Sequence, residues 1–315
     1  MLVVGSVAYD SVKTPEGSRR DALGGSAMYF ALSSSYFTSV SVVAVVGEDF
    51  QQRDVDVFKA HDVDVSGLVR AKGKTFRWSG VYSTEDVNQR ETLDTQLNVF
   101  ADFSPTLTKQ QRRTPYVFLA NIHPALQLDV LQQMEARPRL VALDTMNFWI
   151  EGQRDALTKI VKRVDVLFMD EGEVRQFARE PNLVRAARKI IAMGPRAVVV
   201  KRGEHGVMLV QNGSLFVQPA YPLDRVVDPT GAGDTFAGGF MGYLASTGDR
   251  SPLGFRRAIM LGSVMGSFTV EAFSMERLHT LKRNDIDTRF RAFSDISRGS
   301  PLRKDQSLPW RGSKN

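Results

Sequence analysis

The chain has 315 residues, 43% of them hydrophobic and none a cysteine, with a formal net charge of +6. That length buries a large core, either one α/β domain with a small appendage or two modest domains; the missing cysteine excludes disulfides, a thiolate nucleophile and any thiolate-held metal. Four histidines at no metal-ligand spacing argue against a histidine-built zinc site, and no run approaches the roughly 18 apolar residues of a membrane span.

The opening "MLVVGSVAYD" goes straight into a strand-like run with no basic leader and no cleavage signature, so a soluble cytoplasmic protein is expected. "LVVGS" (2–6) and "VSVVAVVG" (40–47) are short β-branched runs that suit buried strands. Between them, "GGSAMYFALSSSYF" (24–37) starts on a glycine pair and places Met28, Ala31, Leu32 and Tyr36 at helical spacing. "DFQQRDVDVFKAHDV" (49–63) reads as a second helix.

The alternation then stops. "KTFRWSGVYST" (74–84) and "ETLDTQLNVFADF" (91–103) read as strands joined by the polar turn "EDVNQR", and 10–22 can supply another hairpin. Strands without helices, set in a βα chain, predict a small sheet outside the main one. After Pro115 the alternation returns, with strands at 116–120, 139–144, 165–169 and 196–201 and helical segments between them. "GVMLV" and "SLFVQ" flank a hairpin turn at "QNG". The last third is helical over 233–247, 252–272 and 284–293. The whole predicts a mostly parallel central sheet with helices on both faces, plus a small β-sheet lid.

From Arg298 onward the chain carries five basic residues against one acid, Asp305, in a segment rich in Ser, Gly and Pro. Most of the net charge therefore sits in a tail expected to be disordered, and nucleic acid is not expected as a partner.

"VVDPTGAGDTFAGGFMGYLA" (226–245) is the densest signal. A glycine-rich turn entering a helix N-terminus is an anion site, because free N–H groups and the positive end of the helix dipole point at the ligand. Gly231 and Gly233 let the backbone approach that ligand. Asp234 is either an ordinary first-turn acid or, beside a phosphate, a base that accepts a proton from a hydroxyl attacking phosphorus.

"DPTGAGDTFAGGF" resembles the C-terminal signature of ribokinase-like (PfkB-type) carbohydrate and nucleoside kinases, and the resemblance runs over about 1–295. It implies ATP, Mg²⁺ and a small-molecule sugar or nucleoside as acceptor. Asp234 would be the general base, with the amides of Gly231, Ala232, Gly233 and Asp234 as anion hole. "VVGSVAYD" is similar to the family's first strand, which puts Asp10 on acceptor hydroxyls, and "LGGSAMYFA" to its double-glycine site at Gly24 and Gly25. "VVVKRGEHGVMLV", with Lys201, Gly203 and Gly206, resembles the nucleotide side, joined there by Thr230. "FMDEGEVRQF" lies where the family has N-x-x-E, which places Glu173, and with it Asp170, on the metal–phosphate network through water. Asp228 would be a structural carboxylate or a ligand for K⁺, with 267–274 as the neighbouring loop. Segments 10–22 and 74–103 match the family's lid, through which a homodimer can form; 296–315 stay outside the domain.

Three departures bear on the substrate. Asp170 replaces the asparagine of N-x-x-E, so a plain acidic first turn competes with the metal role. Tyr29 stands where sugar kinases often have asparagine, and Ser274 where a glycine is common. Asn147, in "LDTMNFW", resembles an Asp–x–Asn element at a spacing one residue longer. A lost amide and the aromatic residues Phe76, Trp78 and Tyr82 suit a nucleoside better than a polyol, whose unpaired hydroxyls cost about 1–3 kcal/mol each. The expected reaction is phosphorylation of a ribonucleoside 5′-hydroxyl, the base lying between lid and Tyr29. The alternatives are a hexose or sugar-acid kinase and a binder without turnover.

Overall fold

The computed structural model describes residues 1–298. Its elements in chain order begin with β1 (Leu2–Val4), β2 (Ala8–Thr14), β3 (Gly17–Gly24), α1 (Ser26–Ser35), β4 (Ser41–Val46), α2 (Gln52–Ala60) and β5 (Asp64–Arg70). There follow β6 (Phe76–Tyr82), β7 (Arg90–Gln96), β8 (Tyr116–Leu119), α3 (Pro124–Gln132), β9 (Leu140–Asp144), α4 (Asn147–Gly152), α5 (Arg154–Val161), β10 (Val166–Asp170), α6 (Glu171–Ala178) and α7 (Leu183–Ile191). The chain continues with β11 (Ala197–Lys201), β12 (Val207–Gln211), β13 (Ser214–Gln218), α8 (Ala232–Thr247), α9 (Pro252–Thr269), α10 (Glu276–Thr280) and α11 (Arg283–Ile296).

The main sheet has the order β13-β12-β11-β10-β9-β8-β1-β4-β5. It is parallel from β11 through β5; β12 alone runs against it, and β13 turns back into the common direction. Strands β8 to β10 are buried almost throughout, as expected where helices cover both faces and alternation disappears. One face packs on α1, α2, α8, α9 and α11 and the other on α3 to α7, giving two apolar cores with the sheet between them. Within α8, a side chain on Gly238 would come within 2.6 Å of the Phe30 carbonyl, so this glycine serves the close crossing of α1 and α8.

The second sheet, β3-β2-β6-β7, is the predicted lid. Its strands come from two stretches of chain, and β2 lies parallel to β6 with Asp10 opposite Trp78. Arg77 of β6 ties lid to core, with Asp21 on one side and Asp49 at 2.8 Å on the other.

Several boundaries differ from expectation. The opening strand does not run on to Asp10: β1 ends at Val4, the chain changes sheet, and Asp10 sits in β2 of the lid. Residues 98–102 form a 3₁₀ turn, because Asn98 takes φ 49° and Phe100 stacks on Phe76 at 5.2 Å and on Phe103 at 5.4 Å. Strand β5 was not expected; it is a mostly exposed edge whose Asp, Ser and Gly carry little strand signal. Helix α11 closes at Ile296, and the tail expectation lies outside the described residues from 299 onward. Among the described residues no helix is long and apolar enough to cross a membrane.

Candidate active site

The parallel strands end on one edge of the sheet, the usual place for a ligand in such folds. Asp144 closes β9, Asp170 closes β10 and Lys201 closes β11. The turn into α8 meets them there. Gly231 has φ +75°, and a Cβ on it would lie 2.4 Å from three ring atoms of Tyr29, so the turn rests directly on that buried ring. The Ala232 amide donates back to the Pro229 carbonyl at 3.2 Å, while those of Gly231 and Gly233 meet no acceptor among the described residues. Of the predicted anion-hole amides, these two are open to a ligand.

The Lys201 amine bonds both oxygens of Asp144, at 2.9 and 3.1 Å, and lies 3.3 Å from where a Cβ on Gly233 would be. It is thus a cation set against the anion turn. Burial works against its charge, but Asp144 and Glu173 outweigh that and hold it well above the ordinary lysine value. Asp234 is pushed up to about 7, by burial first and then by Asp144, with Lys201 and Arg90 acting in the opposite direction. A carboxylate with that value is half ionised near neutrality, which suits proton acceptance better than simple first-turn capping.

Asp10 also rises to about 7, again by burial, with Asp228 and Asp234 adding to the shift and the Gly25 amide and Arg90 opposing it. A Cβ on Gly24 would stand 2.0 Å from its carboxylate oxygen, and Gly25 has φ +94°. The glycine pair therefore makes room for Asp10 and lends it an amide. Asp10 in the lid and Asp234 in α8 are near enough for Asp234 to raise Asp10 and for one cation, Arg90, to act on both.

The D-x-x-E segment is a capping box: Asp170 accepts from the Glu173 amide and Glu173 from the Asp170 amide, both at 2.7 Å. That favours the acidic first turn for Asp170. Glu173 nevertheless lies beside Lys201, Asp144 and Asp170, and burial lifts it to about 8. Asp228 accepts from the amides of Thr230 at 2.9 Å and Ser274 at 3.4 Å, one on each oxygen, tying the α8 turn to the loop after α9. Thr230 donates to the Tyr82 hydroxyl at 3.2 Å, bringing the lid to the turn. Asn147 is exposed at the start of α4, where its amide oxygen accepts from the Phe148 amide. Gly206 is required by the Gln218 carbonyl, 2.1 Å from a would-be Cβ, a need internal to the chain.

Two residues were missed. Arg90, at the start of β7, is the cation that lowers both Asp10 and Asp234; it read as the end of a polar turn. Asp144 read as the last residue of a strand. The only local signal for it was the Asp–x–Asn resemblance around it; its partner Lys201 lies two strands over, on β11 beyond β10.

Raised carboxylates make the native protein less stable in base. The ordinary value is about 4, whereas Asp10 and Asp234 lie at about 7 and Glu173 at about 8. Between these values the unfolded chain has released protons that the native state keeps, so their contribution to stability is full at acid pH and is lost as pH rises through the folded values. In scanning calorimetry without ligands, Tm should fall from pH 5 to pH 8, and less steeply in Asp10→Asn. An equal slope in that variant would contradict the assignment.

A profile of the pfkB family carbohydrate kinases matches residues 2–278. The chain is 31% identical over 249 residues to the cytidine kinase of Thermococcus kodakarensis, covering 77% of this chain and 88% of that one. It shares its fold with a putative ribokinase II from E. coli in complex with ATP and Mg²⁺ (TM-score 0.77, 19% identity, 92% of this chain and 98% of that one). It likewise shares the fold of a Burkholderia thailandensis nucleoside kinase bound to inosine (TM-score 0.74, 19% identity, 92% and 97%).

Proposed function

The chain belongs to the pfkB carbohydrate kinase family, and from that premise we propose that it transfers the γ-phosphate of ATP to the 5′-hydroxyl of a ribonucleoside. Transfer of a phosphoryl group to a hydroxyl of a nucleoside or sugar is the chemistry of its relatives. The observation that carries the nucleoside reading is the nearness of Asp10 and Asp234, with Arg90 acting on both. A ribose fits with its 2′- and 3′-hydroxyls on Asp10 and its 5′-oxygen toward Asp234. The cytidine kinase relative supports a nucleoside over a hexose.

In this mechanism the 5′-oxygen attacks the γ-phosphorus as its proton passes to the Asp234 carboxylate, and ADP leaves with the bridging oxygen. The open amides of Gly231 and Gly233, with Lys201 and Arg90, hold the charge on the transferring group. Positioning supplies the rest. Gly203, Gly206 and Thr230 border the nucleotide side.

Among the described residues no group of three or more carboxylates is placed to ligate a metal directly, so Mg²⁺ would be held through water by Glu173 and Asp170. When bound, the metal neutralises charge between the phosphates. For Asp228, amide donors on both oxygens support a tie between loops, and K⁺ has no place in this mechanism. Tyr29 supports the turn from beneath, its ring face covered by Gly231, so the base is assigned to the lid side, near the half-buried Trp78, in place of the sandwich between lid and Tyr29. The lack of cysteine fits a cytoplasmic protein. The fully exposed edge β7, with Leu93 62% and Leu97 48% exposed, supports a homodimer through the lid. Sedimentation should give the mass of two chains, and Leu93→Glu the mass of one; an unchanged mass would remove the lid from the contact.

The deciding experiment is ATP turnover against cytidine, other ribonucleosides, ribose, hexoses and sugar acids. Turnover of a nucleoside with release of the 5′-monophosphate is expected. Robust turnover of a hexose, with none of any nucleoside, would replace this reading.

A further inference from the structure

The tip of the lid hairpin, between β6 and β7, touches the turn that follows β11. The Glu204 amide donates to Asn88 Oδ1 at 3.3 Å, and Asn88 Nδ2 donates to Glu204 Oε1 at 3.4 Å. Asn88 is held ready for this contact: Asp86 accepts from its backbone amide at 2.9 Å and from Nδ2 at 3.0 Å, and Ser83 caps the same tip. On the other side, Gly203 has φ +54° and a Cβ there would stand 1.8 Å from Asn88 Oδ1. A side chain there would displace the Asn88 amide, and the positive φ favours glycine as well.

Neighbouring residues give the contact a task. Two positions before Gly203 is Lys201, at the anion turn; two positions after Asn88 is Arg90, facing Asp10 and Asp234. A shift of lid against turn therefore moves two cations relative to the transferring phosphate. Both hydrogen bonds are exposed and involve neutral donors, so they can break and remake as the lid moves.

We propose that Asn88 is a positioning residue, a latch between the acceptor lid and the nucleotide-side turn, through which each substrate promotes binding of the other. The idea rests on the function proposed above for which side takes the nucleotide and which the nucleoside. Ordering the 203–206 turn stabilises the closed tip, and by linkage the closed tip strengthens nucleotide binding by the same factor.

The test uses the full chain with Mg²⁺ and a non-hydrolysable ATP analogue. In the wild type the analogue should slow amide hydrogen exchange over 83–90 and tighten cytidine binding by a factor within the usual coupling range of about 5–150. Asn88→Ala should abolish the protection at the tip and bring the factor to about 1–2, with Tm unchanged. Glu204→Ala, which keeps the backbone bond, should give an intermediate factor. A latch that is only structural would lower Tm and leave the factor intact. Full coupling in Asn88→Ala, or no slowing of the tip in the wild type, overturns the proposal. Slowed exchange at the tip in a protein that binds no cytidine overturns the acceptor reading alone, and the latch stands.

Discussion

Asp234→Asn should lower kcat by about 10²–10⁴ while leaving ATP binding intact. The amide has nearly the shape of the carboxylate, so the first turn of α8 and the open amides of Gly231 and Gly233 stay in place. What disappears is the proton acceptor. ATP affinity should not fall, since the variant removes a negative charge from beside a polyphosphate site. The pH profile supplies the sharper reading. With Asp234 at about 7 in the free enzyme, wild-type kcat/KM should drop as pH falls through that value, because protonation disables the base. In the variant that inflection should vanish. Turnover near the wild-type rate, or a retained inflection, would remove Asp234 from the chemistry and return it to first-turn capping.

Lys201→Met should destabilise the protein more than any surface change. The methionine keeps most of the buried volume and deletes the amine, which leaves Asp144 and Glu173, 5% and 9% exposed, without their cation. Breaking a buried pair in this way costs about 3–5 kcal/mol, and partial access of water to the Lys201 side chain puts the loss at the lower end. Glu173, already raised by burial and held down by Lys201, can escape by keeping its proton, so the loss should be larger at pH 8 than at pH 5. Lys201→Met combined with Asp144→Asn should recover part of the stability, since the two side chains are in contact and their effects are not additive. Phosphate handling should stay impaired in the double variant, because nothing replaces the cation beside Gly233. A pH-independent loss, or full additivity, would mean that the amine is not the carboxylates' counter-ion.

Residues whose roles depend on near neighbours were the readable ones. The turn at Gly231 and the proposed base at Asp234 are written in neighbouring residues, and the helix that follows announces itself by its apolar face. The glycine pair at 24 and 25 was also readable as a site, although its purpose was not: it makes room for Asp10, which arrives from the adjacent lid strand. Tyr29 sits where the resemblance puts an acceptor residue and feels the charges of Asp10, Asp228 and Asp234, but its ring also carries Gly231, more than 200 residues along the chain, which no local pattern announces. Arg90 and Asp144 were missed for the same reason. Each owes its role to partners brought together by sheet order, Arg90 across the lid and Asp144 across two parallel strands. Strand β5 lacked an apolar pattern because it is an edge, and the sheet supplied by pairing what composition did not.

The change of sheet between β1 and β2 has a mechanical consequence. Strands β2 and β3 leave and re-enter the core as one loop, β6 and β7 as another, and the two loops are joined side by side along β2 and β6. A single backbone cut at the hairpin tip would therefore leave both ends rooted, one through β6 and the other through β7 and the turn behind it. The nicked protein should remain in one piece, with its flap hinged as before. Such a flap swings as a plate with few ways to be open, so shutting it forfeits little chain entropy. Its outer strands are then free to vary in sequence without disturbing the hinge.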